Sequence, residues 1–188
     1  MQDRATVPPI VNITGERVAL GPLRRDLLPD YQRWLNDFGT APMLGNAVPL
    51  TGEQALAWYE RQATGDAIVF TIYELSTWRA IGTATLYDIH HQYGRAGFGI
   101  AIGEAASRGQ GYGTEVTRLM LDYAFAVLGL HNVMLTVNAY NVAGIRAYEK
   151  AGFREFGRRR ECRPFDGRRW DMVYMDCLAS QFGSPARE

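Results

Sequence analysis

The sequence predicts one mixed α/β (α+β) domain with the element order βααβββαβαββ, about seven strands and four helices. Three observations carry that reading. Apolar residues recur at helical spacing in two segments, first at Val116, Leu119, Met120, Tyr123, Ala124 and Val127, then between positions 141 and 151. Strand-like runs separate and flank those segments. No linker, internal repeat or low-complexity stretch divides the 188 residues, a length at which roughly 70% of the unfolded chain's surface can be buried around one core.

Taken in order, residues 1–13 read as a loose arm, residues 14–178 as the domain and residues 179–188 as a tail. A short strand falls around residues 17–20. Residues 26–36 form a helix, with Leu27, Leu28, Tyr31, Trp34 and Leu35 near helical spacing. Gly39, Pro42, Gly45, Pro49 and Gly52 then break the chain into a long loop, a kind of segment that often serves a site. Thr51 and Gln54 offer a capping box for a helix reaching about residue 63. Residues 67–74, 80–89 and 95–103 are strands. A helix starts near Gly111 and stops at Gly129, residues 132–137 form a buried-type strand, and Asn141 caps a helix closed by Gly152. Asp166-Gly167 is a two-residue hairpin turn. With Phe165 opposite Arg168, Cys162 opposes Asp171 and Cys177 opposes Phe156, so both cysteines are expected as free thiols of a reducing cytoplasm.

Composition excludes several roles. Twenty basic residues balance 20 acidic ones, a poor start for nucleic-acid binding, which favours a basic excess. The longest mostly apolar stretch, residues 119–130, includes Asp122 and falls well short of the about 20 residues that a membrane span needs. The first residues lack a basic region followed by an apolar run, so no signal peptide is read there. His90 and His91 sit in a polar turn with no ligand spacing elsewhere, so no metal is expected.

The chemistry concentrates between Ile102 and Glu115. There a strand ends, a turn carries Arg108, Gly109, Gln110, Gly111, Tyr112, Gly113 and Thr114, and a helix begins. Glycines admit a ligand close to the backbone, and the free amides of a helix's first turn attract anions. Such a turn is either a phosphate cradle or simply a tight connection. A nucleotide P-loop needs Gly-Lys-Ser/Thr, and the single lysine, Lys150, follows Glu149. A dinucleotide fingerprint fits poorly, because Thr114 or Val116 stands where its last glycine belongs.

A second constellation runs through Asn138, Asn141, Ala143, Gly144, Ile145, Tyr148, Glu149, Lys150, Gly152 and Phe153. Together with Arg108-x-x-Gly111-x-Gly113 it resembles the GNAT superfamily of N-acetyltransferases. One branch is nearest in pattern, that of ribosomal-protein alanine and serine N-terminal acetyltransferases and polyamine acetyltransferases. The resemblance covers about residues 14–178, loosely over 37–66. It implies a single, largely antiparallel sheet whose two central parallel strands, residues 95–103 and 132–137, splay around acetyl-coenzyme A. It also implies direct transfer of the acetyl group to a primary amine, either a protein N-terminus or a small molecule. Ile102, the turn from Arg108 to Thr114, Asn138 and Asn141 are the expected cofactor-binding residues. The alternatives are a non-catalytic coenzyme A-binding module that works through partners, or a polyamine or antibiotic acetyltransferase.

Direct transfer needs orientation, loss of the ammonium proton, an oxyanion donor and an acid for the leaving sulfur. Tyr148 lies two helical turns from Asn141 on the same face and is either that acid or a core aromatic. Glu104 ends a strand just before the turn and is either the base, directly or through water, or a carboxylate paired with Arg108. Trp34, Met43, Leu44, Trp58 and Tyr87 line the acceptor or belong to the core. Residues 1–94 hold 7 basic and 10 acidic side chains, a net of −3, and the remainder holds 13 and 10, a net of +3. The arginine-rich final hairpin therefore either meets an anionic partner or is a solvated surface, with alternation splitting its charges between two faces. A homodimer is possible in either case.

Overall fold

The computed structural model describes residues 9–39, 41–43 and 48–183. Eight strands form one sheet: β1 (Ile13–Thr14), β2 (Val18–Pro22), β3 (Ile68–Glu74), β4 (Arg79–His90), β5 (Arg95–Ile102), β6 (Asn132–Asn138), β7 (Arg154–Phe165) and β8 (Arg168–Leu178). Their order is β1-β2-β3-β4-β5-β6-β8-β7, and every neighbouring pair is antiparallel except β5 with β6. The class is the expected one. The extra strand is β1, a two-residue piece at the end of the presumed arm, too short to show periodicity. Its Ile13 pairs with Leu20 across the turn at Gly15.

Four helices cover the sheet: α1 (Leu28–Asn36), α2 (Gly52–Thr64), α3 (Tyr112–Asp122) and α4 (Val142–Ala151). Alternation along β3 decides which face each covers. Phe70 and Ile72 join the main core with Val116, Met120 and Leu121 of α3. Thr71 and Tyr73 point the other way, where the Thr71 hydroxyl meets the Tyr31 hydroxyl of α1 at 2.6 Å and Tyr31 packs edge-on against Trp34 and Trp58. The capping box at Thr51 and Gln54 forms with both bonds. The helix begun by α3 loosens into a π-type turn at Tyr123–Val127 before Gly129, at φ +66°, stops it. Beyond β8, Ala179–Gln181 makes one 3₁₀ turn and Phe182 packs edge-on against Phe125.

The final hairpin turns at Asp166-Gly167, but its register is not constant. Rungs such as Arg163↔Trp170 give way to Arg159↔Met172 and then Arg154↔Asp176 through two bulges. The first contains Glu161 at φ +50°, whose amide donates to Asp171 Oδ1 at 2.9 Å. Cys162 therefore does not oppose Asp171 in the ladder, and Cys177 pairs with Val133 of β6 rather than with Phe156. Both cysteines are free. A bulge depends on local hydrogen bonding that a turn signature does not encode. Among the described residues no helix is long and apolar enough to cross a membrane.

Candidate active site

The parallel pairing of β5 with β6 covers only Arg95–Gly97 against Asn132–Met134. Beyond those rungs β5 stays paired with β4 through Ile102, and β6 stays paired with β8 through Asn138. The two strands thus diverge, and among the described residues each leaves one backbone edge without a strand partner. Into this gap opens a cleft of about 430 Å³. It is walled by Ile100, Ala101 and Ile102 of β5, by the turn from Ser107 to Thr114, and by the face of α4 that carries Asn141, Ala143, Gly144, Ala147 and Tyr148. Two motifs about 30 residues apart in sequence meet there.

The turn is shaped by its glycines. Gly109 and Gly111 adopt φ of +73° and +84°, the left-handed region. No side chain caps α3 at its N-cap Gly111, so its first amides remain available at the positive end of the helix dipole. Arg17 grips the turn from behind. Its guanidinium donates to the Gln110 carbonyl at 2.8 Å, pairs with Glu115 at 3.2 Å and lies 5.2 Å from the Tyr112 ring centre. The Tyr112 hydroxyl donates to Glu74 at 2.7 Å. Gln110 and Tyr112 are accordingly not among the cleft-lining residues, and the Tyr112 phenol is committed elsewhere. Arg17 lies far from the turn in sequence and carried no signal of this role.

Arg108 lines the cleft but is heavily engaged. It donates to the carbonyls of Ile102 (3.0 Å) and Gly103 (2.7 Å) and pairs with Asp37 at 2.8 Å. Two other cations, Arg146 and Lys150 of α4, also line the cleft. Their four-residue spacing was visible in the sequence, but only the placement of α4 reveals their use. Asn141 accepts from the Gly144 amide at 2.9 Å, which caps α4 and fixes the side chain at the cleft. A Cβ on Gly144 would stand 2.7 Å from the Asn141 amide nitrogen. Gly144→Ala gains about 0.5–1 kcal/mol of helix propensity and loses a cap worth about 1 kcal/mol. We expect thermal stability to shift little and coenzyme A affinity, measured by calorimetry, to fall several-fold.

Tyr148 lines the same cleft, its ring edge-on to Phe98 and Phe153. Among the described residues its hydroxyl has no hydrogen-bond partner. Burial, with the Tyr87 phenol beside it, pushes its pKa up to about 12, so it keeps its proton at neutral pH. Tyr87 is half-buried and lies across Gly97, where a Cβ would stand 2.3 Å from its ring.

The expected pairing of Glu104 with Arg108 is not what forms. Glu104 is 6% exposed and lies outside the cleft lining. One carboxylate oxygen accepts from the Trp34 indole at 2.9 Å and from Arg33, and the other from Arg79 at 2.5 Å. Burial pushes its pKa up, but the bonds from Arg33 and Trp34 and the charges of Arg33 and Arg79 outweigh it and hold the carboxyl below the usual range. A carboxylate so held is a poor base. Trp34, expected on the acceptor wall, is 4% exposed and packs under Gly103, whose Cβ would strike its ring at 2.1 Å.

Met43 does line the cleft, and Leu44 lies outside the described residues. Asn138 is not in the lining. It is buried, and its amide donates to the carbonyls of Pro42 and Met43 at 3.5 and 3.4 Å, while the Tyr140 hydroxyl donates to Pro42 at 2.8 Å. Those bonds hold Pro42 and Met43 beside the cleft. Among the described residues no group of three His, Cys, Asp or Glu is placed to hold a metal ion.

A family model described as Acetyltransferase (GNAT) domain matches residues 17–154. Probable N-acetyltransferase YjcK of Bacillus subtilis is 35% identical over 100 residues, 53% of this chain and 55% of that protein. Spermidine N(1)-acetyltransferase of Vibrio cholerae is 32% identical over 102 residues, 54% of this chain and 58% of that protein. The matches thus span just over half the length of these curated relatives. A crystal structure of spermidine N-acetyltransferase from Vibrio cholerae in complex with CoA and spermine superposes with a TM-score of 0.80 at 24% identity, covering 88% of this chain and 97% of that one.

Proposed function

The chain belongs to the GNAT acetyltransferase family, and from that premise we propose that it transfers the acetyl group of acetyl-coenzyme A directly to a primary amine. The observation that carries the reading is the single cleft into which the glycine turn, the free edge of β5, Asn141 and Tyr148 all open.

The residues fit the donor along its length. The first amides of α3, with Arg108, Arg146 and Lys150 nearby, suit pyrophosphate and further phosphate. The unpaired edges of β5 and β6 offer amides and carbonyls to the two amide groups of a pantetheine arm, much as a strand is added to a sheet. Acetyl-coenzyme A supplies an activated thioester, so the protein needs no nucleophile of its own.

A neutral amine attacks the thioester carbon, the N–C bond forms and the C–S bond breaks. An unpaired amide on the edge of β5 donates to the oxygen on which charge develops. Tyr148 donates its proton to the departing sulfur, and the proton shed by the nitrogen restores it through water. No carboxylate base is required for an α-amine, whose pKa near ~8 leaves part of it neutral at pH 7. Thiol release in the presence of acetyl-coenzyme A and a panel of amines and peptides tests the reading. Acceptor-dependent release supports it, whereas tight coenzyme A binding with no accelerated release across a broad panel turns the chain into a binding module.

A further inference from the structure

The hairpin arginines do not spread evenly over two faces. Opposed residues of an antiparallel pair share a face, and successive residues along a strand switch it. The rungs Arg159↔Met172, Arg163↔Trp170 and Phe165↔Arg168 therefore put Arg159, Arg163 and Arg168 on the face of Trp170, opposite the one by which Val173 and Met175 enter the core. That face reaches the α1–α2 segment at Pro42. Phe165 stacks on Tyr140 at 4.3 Å, Trp170 meets it edge-on at 5.8 Å, and the Tyr140 hydroxyl holds Pro42, the neighbour of the cleft-lining Met43.

Among the described residues these three arginines have no carboxylate partner and the buried Arg163 Nε has no hydrogen bond. The hairpin's own Glu161 and Asp166 are exposed and form no ion pair with these arginines among the described residues, and three other carboxylates are already committed. Asp171 serves the Glu161 amide and Arg158, Asp37 serves Arg108, and Glu104 serves Arg33, Arg79 and Trp34. An amine carrying further positive charge would be repelled by the cations of this hairpin face beside the cleft, and one carrying carboxylates would pair with them.

We propose that the acceptor is the N-terminus of an acidic peptide, with its α-amine directed to Tyr148 and its side-chain carboxylates held by Arg159, Arg163 and Arg168. This rests on the acetyltransferase reading, but its test is separable from it. The full chain, saturated with coenzyme A, is titrated with a labelled peptide that has a free α-amine and Asp or Glu at its next positions, with its Asn/Gln counterpart, and with spermidine. The acidic peptide is expected to bind about tenfold tighter than its neutral counterpart at low salt, the scale that a few partly solvated ion pairs supply. Salt at about 0.5 M should largely remove the difference. Arg159→Gln/Arg163→Gln/Arg168→Gln should lower the acidic peptide's affinity to that of the neutral one, with coenzyme A affinity and Tm unchanged. Equal binding of the two peptides, tighter binding of spermidine, or an unaffected triple variant overturns the proposal. The acidic preference without thiol release would overturn the acetyltransferase reading alone, and rapid release with spermidine but not the acidic peptide would overturn this one alone.

Discussion

Tyr148→Phe is expected to lower kcat about 100-fold while leaving coenzyme A affinity within about twofold, the usual scale for losing a general acid. The substitution removes one oxygen and keeps the ring that packs on Phe98 and Phe153. Because the hydroxyl has no hydrogen-bond partner among the described residues, its removal strands no donor or acceptor, and the melting temperature should hardly move. The wild-type rate should also show no falling limb from Tyr148 until the pH approaches its value of about 12. Unchanged single-turnover rates in Tyr148→Phe would make the residue a core aromatic and nothing more.

Glu104→Gln should separate stability from catalysis in the opposite sense. The amide can still accept from the Trp34 indole, but Arg33 and Arg79 lose their counter-charge. Those guanidiniums belong to side chains 53% and 58% exposed, so water screens much of the loss, and about 2 kcal/mol is expected from hydrogen bonds to a charged group. The native pKa of Glu104 is depressed, so its contribution is present above the unfolded value near ~4.3 and disappears as pH falls through the native one. Urea melts at pH 7 and pH 3 should therefore show a clear difference between wild type and variant at pH 7 and a smaller one at pH 3. The rate profile near neutral pH should keep its shape. Loss of an acidic limb from that profile would restore Glu104 as the base.

Local signals were enough for most of the fold. The capping pair at Thr51 and Gln54, the stop at Gly152 and the turn at Asp166-Gly167 each act over a few residues, and each appears where its local chemistry places it. Long-range contacts were not legible. Arg17 clasps Gln110, Arg33 and Arg79 converge on Glu104, and Asp37 takes Arg108, pairs separated by 25 to 93 positions. No periodicity encodes such meetings. The same holds for Trp34, which helical spacing puts on an apolar face without saying whether that face meets substrate or sheet, and for the hairpin bulges, which set the faces of its arginines.

The three rungs between β5 and β6 give the sheet a seam at its middle. On one side lie β1 to β5 and on the other β6 to β8, two panels hinged at one end and open at the other. On the proposed function, a donor lying in the opening would work as the missing rung, so occupancy should stiffen the seam as well as fill a cleft. Amides along the free edges should exchange with solvent quickly in the empty protein and slow sharply once coenzyme A is bound. The panels should melt together at a higher temperature in its presence, by about 2.7 kcal/mol at a hundredfold excess over Kd. Ligand and architecture are then the same object, with the final stretch of β-structure supplied from outside the chain.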